Sequence, residues 1–282
     1  MIVITGATGQ LGSRIADQVL HRVPATFVGV SVTDPAKATS LRDRGVRVRR
    51  GDFTDPAGLA AAFEGATQVL VVSAAIRGPG AVEANLAAID AAVAAGAERI
   101  LYTSHQGASA DSLFAPMLTH ARTEEYLDSL GVPYLALRNG FYASTIGHYL
   151  GAAEATGRLA LPADGPVSWT GHDDLAAAAA ALLVDHPAAT GPTPPLTAAE
   201  TLDFAAIAAL AGGITRVVVD DGEWVETAVA GGLPRPAAEF TLGMFRASRR
   251  GEFAVTDPTL ATLIGRPAAS LPTSAGRPAA SR

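Results

Sequence analysis

The chemistry written most plainly into this 282-residue chain is anion binding. Ile2 to Ile4 is a short apolar run, and Thr5 leads from it into Gly6, Gly9 and Gly12 at three-residue spacing. A backbone without side chains at a tight bend can approach a pyrophosphate closely. A helix that starts there turns unpaired N–H groups and the positive end of its dipole towards the anion. Leu11, Ile15 and Val19 recur every fourth residue after the glycines, as in an amphipathic helix. Strand, glycine turn and helix together predict a dinucleotide ligand.

Other residue clusters carry weaker chemistry. His105 and Gln106 follow an apolar strand and are candidate substrate contacts, although polar loops after strands are common. His172, Asp173 and Asp174 superficially suggest a metal or catalytic cluster, but they stand just before an apolar helix, where N-capping is the expected role. The histidines lack paired metal-ligand spacing, so no structural or catalytic metal is expected. Arg246, Arg249 and Arg250 recur at helical spacing and read as a solvated face rather than an anion site.

The elements that must position these residues alternate along the chain. Phe27 to Val32 reads as a second strand, and Asp34-Pro35 as an N-cap followed by proline at the first helical position. An acidic residue at this distance from the glycines is also the usual partner of the adenine ribose, so Asp34 has two competing roles. Val46 to Arg49 alternates as a third strand closed by Gly51-Asp52-Phe53, and Asp55-Pro56 caps the next helix, whose Leu59 and Phe63 face inward. Val69 to Ser73 is continuously apolar, as in a central strand covered on both faces. Val82, Leu86, Ile89 and Val93 form a helical stripe ended by Gly96; Arg99 to Ser104 is a fifth strand, His120 to Leu130 a helix, and Val132 to Arg138 a sixth strand. The expected fold class is α/β, a doubly wound Rossmann-type parallel sheet over residues 1–139, with a return to it at 167–185. Residues 140–166 and 186–272 are expected to form a smaller interleaved α+β lobe, with a disordered tail at 273–282.

Composition limits the partners. A net charge of −6, with a single lysine at position 37, argues against a general nucleic-acid surface. No cysteine is present, which excludes disulfides and thiolate chemistry. A core strand that begins at residue 2 leaves no room for a signal peptide, and no apolar run approaches the ~20 residues of a membrane helix. A soluble, cytoplasmic protein with no nucleic-acid or membrane partner is the expectation, with a homodimer left open.

Several segments resemble one family in the family's own order: Gly6-Ala7-Thr8-Gly9-Gln10-Leu11-Gly12, Asp34-Pro35-Ala36-Lys37-Ala38, Gly51-Asp52-Phe53, Tyr102-Thr103-Ser104, His120-Ala121-Arg122-Thr123-Glu124, Leu137-Arg138-Asn139-Gly140-Phe141-Tyr142 and Arg250-Gly251-Glu252-Phe253. They resemble the NmrA-like branch of the atypical short-chain dehydrogenase/reductases, and within it the small NAD(P)H-dependent quinone reductases and triphenylmethane reductases. The resemblance implies that Gly6, Thr8, Gly9, Gln10, Leu11 and Gly12 hold the pyrophosphate, that Asp52 and Phe53 border the adenine, and that Ser73, Ala74 and Ala75 pass the nicotinamide-side ribose. Thr103, Ser104, His120 and Asn139 complete the cofactor set. Family members that use NADPH tend to carry arginine where this chain has Thr33, so Lys37, Arg42 or Arg50 is left to meet a 2′-phosphate, unless each is an ordinary surface cation. NADPH is the expected coenzyme, with NADH open.

The wider superfamily uses a tyrosine with a lysine four residues later. By register with Gly131, the lysine position here is His120, and Pro116 stands where the phenol would be. This resembles the quinone-reductase branch and disfavours chemistry that needs the dyad. His120 and Tyr142 are the candidate catalytic residues, and His105, Gln106, Phe141 and Tyr142 the candidate substrate contacts. His120 would hydrogen-bond the nicotinamide ribose or assist protonation, unless it merely lines a helix start. Phe141 and Tyr142 would wall a flat acceptor, unless they anchor the core. Trp224, Phe240, Met244 and Phe245 are either core or pocket lining. The leading expectation is hydride transfer to a quinone-like aromatic acceptor. A non-catalytic dinucleotide sensor and a reductase of a secondary-metabolite enone or imine are the alternatives, because fold resemblance does not separate them.

Overall fold

The first strand, β1 (Ile2–Thr5), sends Ile2 and Ile4 to one face of the main sheet and Val3 to the other, since strand side chains alternate. Both faces are buried at the sheet's centre, which is why the central strands read as apolar runs while the edge strand over Arg47–Arg50 alternates. The computed structural model describes residues 1–76, 78, 80–269 and 271. The further strands are β2 (Val28–Val32), β3 (Arg47–Arg50), β4 (Gln68–Val71), β5 (Arg99–His105), β6 (Tyr134–Asn139), β7 (Phe141–Tyr142), β8 (Arg158–Pro162), β9 (Trp169–Thr170), β10 (Gly191–Pro192) and β11 (Thr215–Val219). The helices are α1 (Gln10–Leu20), α2 (Thr39–Asp43), α3 (Pro56–Phe63), α4 (Ala81–Ala94), α5 (Ala115–Ser129), α6 (Thr145–Thr156), α7 (His172–Val184), α8 (Phe204–Ala211), α9 (Asp221–Ala230), α10 (Arg235–Arg249) and α11 (Thr259–Ile264).

Seven parallel strands form the main sheet in the order β10-β6-β5-β4-β1-β2-β3. The chain winds outward through β2 and β3, returns to β4 and winds the other way, so the strand order reverses between β1 and β4. A crevice opens outside the carboxyl ends of strands at such a switch point. The doubly wound α/β architecture expected from the alternation is the one found. Leu11, Ile15 and Val19 of α1 and the alanine- and leucine-rich face of α7 cover one side, and α3, α4 and α5 cover the other with Leu59, Phe63, Ile89 and Leu127. Arg99 at the start of β5 fastens α7 by donating to the carbonyls of Leu182, His186 and Ala189 at 2.9 to 3.1 Å.

A second core gathers mostly residues from the stretches expected for the smaller lobe, together with Phe114 and Met117. Ile146 and Leu150 of α6, Leu159 and Leu161 of β8, Phe204 of α8 and Met244 and Phe245 of α10 pack together, with Trp224 half-buried against them. Two short parallel pairs, β8 with β11 and β7 with β9, accompany these helices. The return expected at 167–185 contains α7. The main sheet's side also takes β10, paired with Leu135 and Ala136, and Leu260 of α11, both within the stretch expected for the small lobe. A two-residue strand in Thr-Pro-rich text has no period to read. The expected tail at 273–282 lies outside the described residues. Among the described residues, no helix is long and apolar enough to cross a membrane.

Several boundaries shift for identifiable reasons. Phe27 is exposed and belongs to a 3-10 turn, Ala25–Phe27, ahead of β2. The third strand runs one residue later than its alternation suggests, and Arg47 reaches the carbonyls of Ala62 and Glu64 at the end of α3. Helix α5 begins five residues before His120, with Pro116 in its first turn, a position where proline's missing N–H costs nothing. The buried face of α4 is Ala81, Ala84, Asn85, Ala88, Ile89, Ala91 and Ala92, so of the expected stripe Ile89 is buried while Val82, Leu86 and Val93 are half-buried. Asp34 and Asp55 cap as expected, accepting the N–H of Ala36 at 3.0 Å and of Gly58 at 3.1 Å. Asp173 and Asp174 do not: Gly171 is the N-cap of α7, Asp173 pairs with Arg14, and Asp174 holds Arg266 and the Ala269 N–H. Arg246 and Arg249 are not simply solvated, since both pair with Asp221, and Arg250 pairs with Glu252.

Candidate active site

Gly6 adopts φ +61°, a left-handed conformation that a Cβ would strain. A Cβ on Gly12 would lie 2.2 Å from the Gly6 carbonyl oxygen, so the turn is closed to side chains. Gly9, the N-cap of α1, offers no side-chain acceptor, and the first turn has no acidic residue. The N–H groups of Gln10, Leu11 and Gly12 therefore start a helix whose positive end has no anionic side chain of its own.

A cleft of about 360 Å³ lies over these strand ends. Gly6, Thr8, Gly9, Thr33, Asp52, Phe53, Ser73, Ala74 and Ala75 of the expected cofactor set line it. Ser31 lines it too; its buried hydroxyl has no hydrogen-bond partner among the described residues, and a Cβ on Gly51 would strike that oxygen at 2.1 Å. A side-chain-free turn, an uncapped helix start and an orphaned hydroxyl suit a phosphate-bearing dinucleotide. Asp52 is half-buried and accepts the backbone N–H and hydroxyl of Thr54 at 2.9 and 2.7 Å, bonds that hold its carboxyl below the usual range. Thr33 is exposed at the cleft edge and Lys37 is exposed one short 3-10 turn later. Arg50 is engaged by Asp55 at 3.2 Å and Arg42 by the Pro35 carbonyl at 3.4 Å.

The segment after β4 is stitched to three other elements. Val72 N–H donates to Thr5 Oγ1 at 2.8 Å, Ser73 N–H to Thr103 Oγ1 at 2.8 Å, and Ala74 N–H to Asn85 Oδ1 at 2.9 Å. Three successive amides thus end on β1, β5 and α4, which fixes the floor of the cleft. Ser73, Ala74 and Ile76 also line a second, adjoining cavity of about 130 Å³, closed by Asn85, Ala115, Pro116, Thr119, His120 and Phe240.

His120 is the polar ring of that second cavity. Its Nδ1 lies 2.8 Å from the Tyr102 hydroxyl, and its ring stacks near His105 with centroids 6.2 Å apart. Burial lowers its pKa to about 4 and that of His105 well below the ordinary value, so both imidazoles are neutral near pH 7. Burial also raises the Tyr102 phenol far above its usual pKa, so it is protonated. Although no phenol stands four residues before His120, one reaches it from β5.

Not every expected residue enters the clefts. Tyr102 and Ser104 share a face of β5, so Ser104 turns to α5 and donates to Glu124 at 2.5 Å, where Arg138 closes an ion pair at 2.6 Å. Gln106 is committed inside: Nε2 donates to the Phe253 carbonyl and Oε1 accepts from Ser168. Phe141 and Tyr142, adjacent on β7, diverge and do not form one wall. Phe141 joins the aromatic core with Phe114, Trp169 and Phe253, and meets His105 edge-on at 5.3 Å. Tyr142 lies on His172 at 4.4 Å against the core under α1 and α7, and burial pushes its phenol up to about 12. Asn139 ends β6 buried, its Oδ1 without a hydrogen-bond partner among the described residues. Of the small-lobe residues, Met244 and Phe245 are core and Phe240 lines the second cavity. Ser31, Asn85 and Tyr102 supply polar groups to the site that the sequence does not announce. The signal for Asn85 was a lone amide within an alanine-rich helix.

Residues 6–186 match the family described as NAD(P)H-binding. Quinone oxidoreductase 2 of Escherichia coli (strain K12) is 36% identical over 187 residues, covering 65% of this chain and 64% of that protein. The crystal structure of the Escherichia coli NADPH-dependent quinone oxidoreductase QOR2 with NADPH superposes with a TM-score of 0.90 at 30% identity, covering 97% of both chains. The Citrobacter sp. triphenylmethane reductase complexed with NADP(H) gives 0.88 at 30% identity, over 98% of this chain and 99% of that one. An NmrA-like family domain-containing oxidoreductase, flvB of Aspergillus flavus, is 26% identical over 94% of this chain and 90% of its own length.

Proposed function

The chain belongs to the NAD(P)H-binding family, and we propose that it is an NmrA-like oxidoreductase that reduces a small aromatic acceptor, a quinone in the first place, with NADPH. The observation that carries this reading is the meeting of two cavities at Ser73 and Ala74. The larger suits a dinucleotide. The smaller, partly walled by Ile76, Ala115, Pro116 and Phe240, is close to the ~150 Å³ apolar cavity that takes one benzene ring. A non-catalytic dinucleotide sensor has no need of that room.

When bound, the coenzyme supplies a hydride from its nicotinamide ring. The protein's part is placement. The Gly6 to Gly12 turn and the start of α1 receive the pyrophosphate, Asp52 and Phe53 border the adenine, and Thr33 and Lys37 face the 2′ position. The segment fixed by the stitched amides of Val72, Ser73 and Ala74 borders the nicotinamide-side ribose beside the second cavity, where contact between reacting groups is a matter of orientation. His120 offers its free Nε2 there, and a neutral imidazole hydrogen-bonds an acceptor oxygen without placing a charge in the cavity. Protons can reach a reduced quinone from solvent, so no tyrosine–lysine dyad is required. On this reading the protein works in the cytoplasm on a small molecule, in keeping with its net charge of −6.

Titration with NADPH, NADP+, NADH and NAD+, followed by calorimetry and thermal protection, tests the cofactor half of the proposal. Tight binding of NADPH is expected. Neither heat nor protection with any of the four would overturn it.

A further inference from the structure

Asn85 is a buried amide with both ends committed. Its Oδ1 accepts the Ala74 N–H at 2.9 Å, and its Nδ2 donates to the Tyr102 hydroxyl at 3.0 Å and to Thr123 Oγ1 at 3.5 Å. A backbone N–H can only donate, so turning the amide round would set donor against donor. Thr123 passes its own proton to the Thr119 carbonyl at 2.8 Å. The Tyr102 oxygen accepts from Asn85, and Thr123 Oγ1 already accepts from Asn85 while giving its own proton to Thr119, so the best-placed acceptor for the Tyr102 proton is Nδ1 of His120 at 2.8 Å. Nδ1 is then an acceptor, and a neutral imidazole carries its proton on the other nitrogen.

We propose that Asn85 and Tyr102 are positioning residues that lock His120 in the Nε2–H tautomer, so that the cavity beside Ser73 and Ala74 meets a donor and favours acceptors bearing a carbonyl oxygen. The assignment of that cavity to the acceptor rests on the function proposed above; the tautomer does not. A quinone oxygen accepts from Nε2–H and gains negative charge as hydride arrives, so the bond strengthens along the reaction. A triarylmethyl cation takes hydride at carbon and has no oxygen there to exploit the donor. Burial keeps the ring neutral; its ring neighbours on β5, Tyr102 and the equally buried His105, are uncharged, and Glu124 on α5 and Tyr142 on β7 act electrostatically on Tyr102.

Two measurements on the full chain test this. In two-bond proton–nitrogen NMR spectra of histidine-labelled protein, with His120 assigned through His120→Gln, the wild type should show one tautomer, Nε2–H, from about pH 6 to about pH 9. Tyr102→Phe should show both tautomers. The second measurement is the ratio of kcat/KM for a naphthoquinone to that for a triphenylmethane dye, with NADPH as donor. His120→Leu should lower this ratio about 10- to 100-fold, and His120→Gln, which restores an N–H donor, should recover most of it. A proton on Nδ1 in the wild type, or equal loss on both acceptors in His120→Leu, overturns the inference. If Tyr102→Phe fails to fold, the wild-type spectrum alone decides the tautomer. Wild-type protein inert towards both acceptors would overturn the function and the selectivity, while the spectrum would still judge the tautomer.

Discussion

The Gly6 carbonyl oxygen occupies the space into which a Cβ on Gly12 would project, at 2.2 Å. The first turn of α1 can therefore sit directly on the bend after β1, and the helix start faces the cleft. Gly12→Ala should destabilise the protein by about 1–3 kcal/mol through backbone displacement. It should also weaken NADPH-induced thermal protection, because the amides at the helix start move. A melting series with and without NADPH checks both effects.

The loop at the base of the cleft should depend on Thr103. Its hydroxyl is 2.8 Å from the Ser73 N–H. Thr103→Val keeps the shape and strands that N–H, at a cost of about 1–3 kcal/mol. The KM for NADPH should rise with little change in KM for the acceptor, a split that steady-state kinetics resolves.

Coenzyme choice should respond at position 33. Thr33 is exposed at the cleft edge, Asp34 is engaged by the Ala36 N–H, and Arg50 is engaged by Asp55. Thr33→Arg should raise the preference for NADPH over NADH about tenfold or more, through a charge-assisted bond of ~1.5 kcal/mol or greater. Lys37→Ala should lower NADPH affinity and leave NADH affinity unchanged. Parallel titrations of both coenzymes provide the check.

Acid should destabilise the protein through its buried imidazoles. Burial lowers His120 to about 4 and His105 well below its usual value, against about 6.5 in the unfolded chain. Above about pH 6.5 both states are neutral and the contribution is constant. As pH falls from about 6.5 towards 4, the unfolded chain binds protons that the native state refuses, so stability is lost through that window. Asp52 and Asp221, held below the ordinary carboxylate range, act only at lower pH. Urea midpoints at about pH 7 and about pH 5 should differ, and His120→Gln should reduce the difference.

Much of the frame was legible because its signals are local. Gly6, Gly9 and Gly12 declare the turn, the Asp-Pro pairs at 34 and 55 declare caps, and the run from Val69 to Ser73 declares a strand covered on both faces, although the strand itself is Gln68–Val71. The second cavity was less legible because its polar groups meet across the sheet. Asn85, Tyr102 and His120 lie on α4, β5 and α5, and no spacing in the chain announces that they touch. Ser104 reads as a cofactor residue from the family resemblance and Gln106 as a substrate contact from its place after a strand, but alternation along β5 and the carbonyl of Phe253 direct them inward. Phe141 and Tyr142 read either as one wall for a flat acceptor or as core anchors, and they part because successive strand residues face opposite ways.

The most direct test is to mix the purified protein with NADPH and a naphthoquinone and follow reduced-nicotinamide absorbance against a blank without protein. The account predicts steady oxidation, with NADPH consumed mole for mole with quinone reduced and with loss of rate in Gly12→Ala. Oxidation no faster than the blank, in protein that calorimetry finds loaded with NADPH, would contradict it.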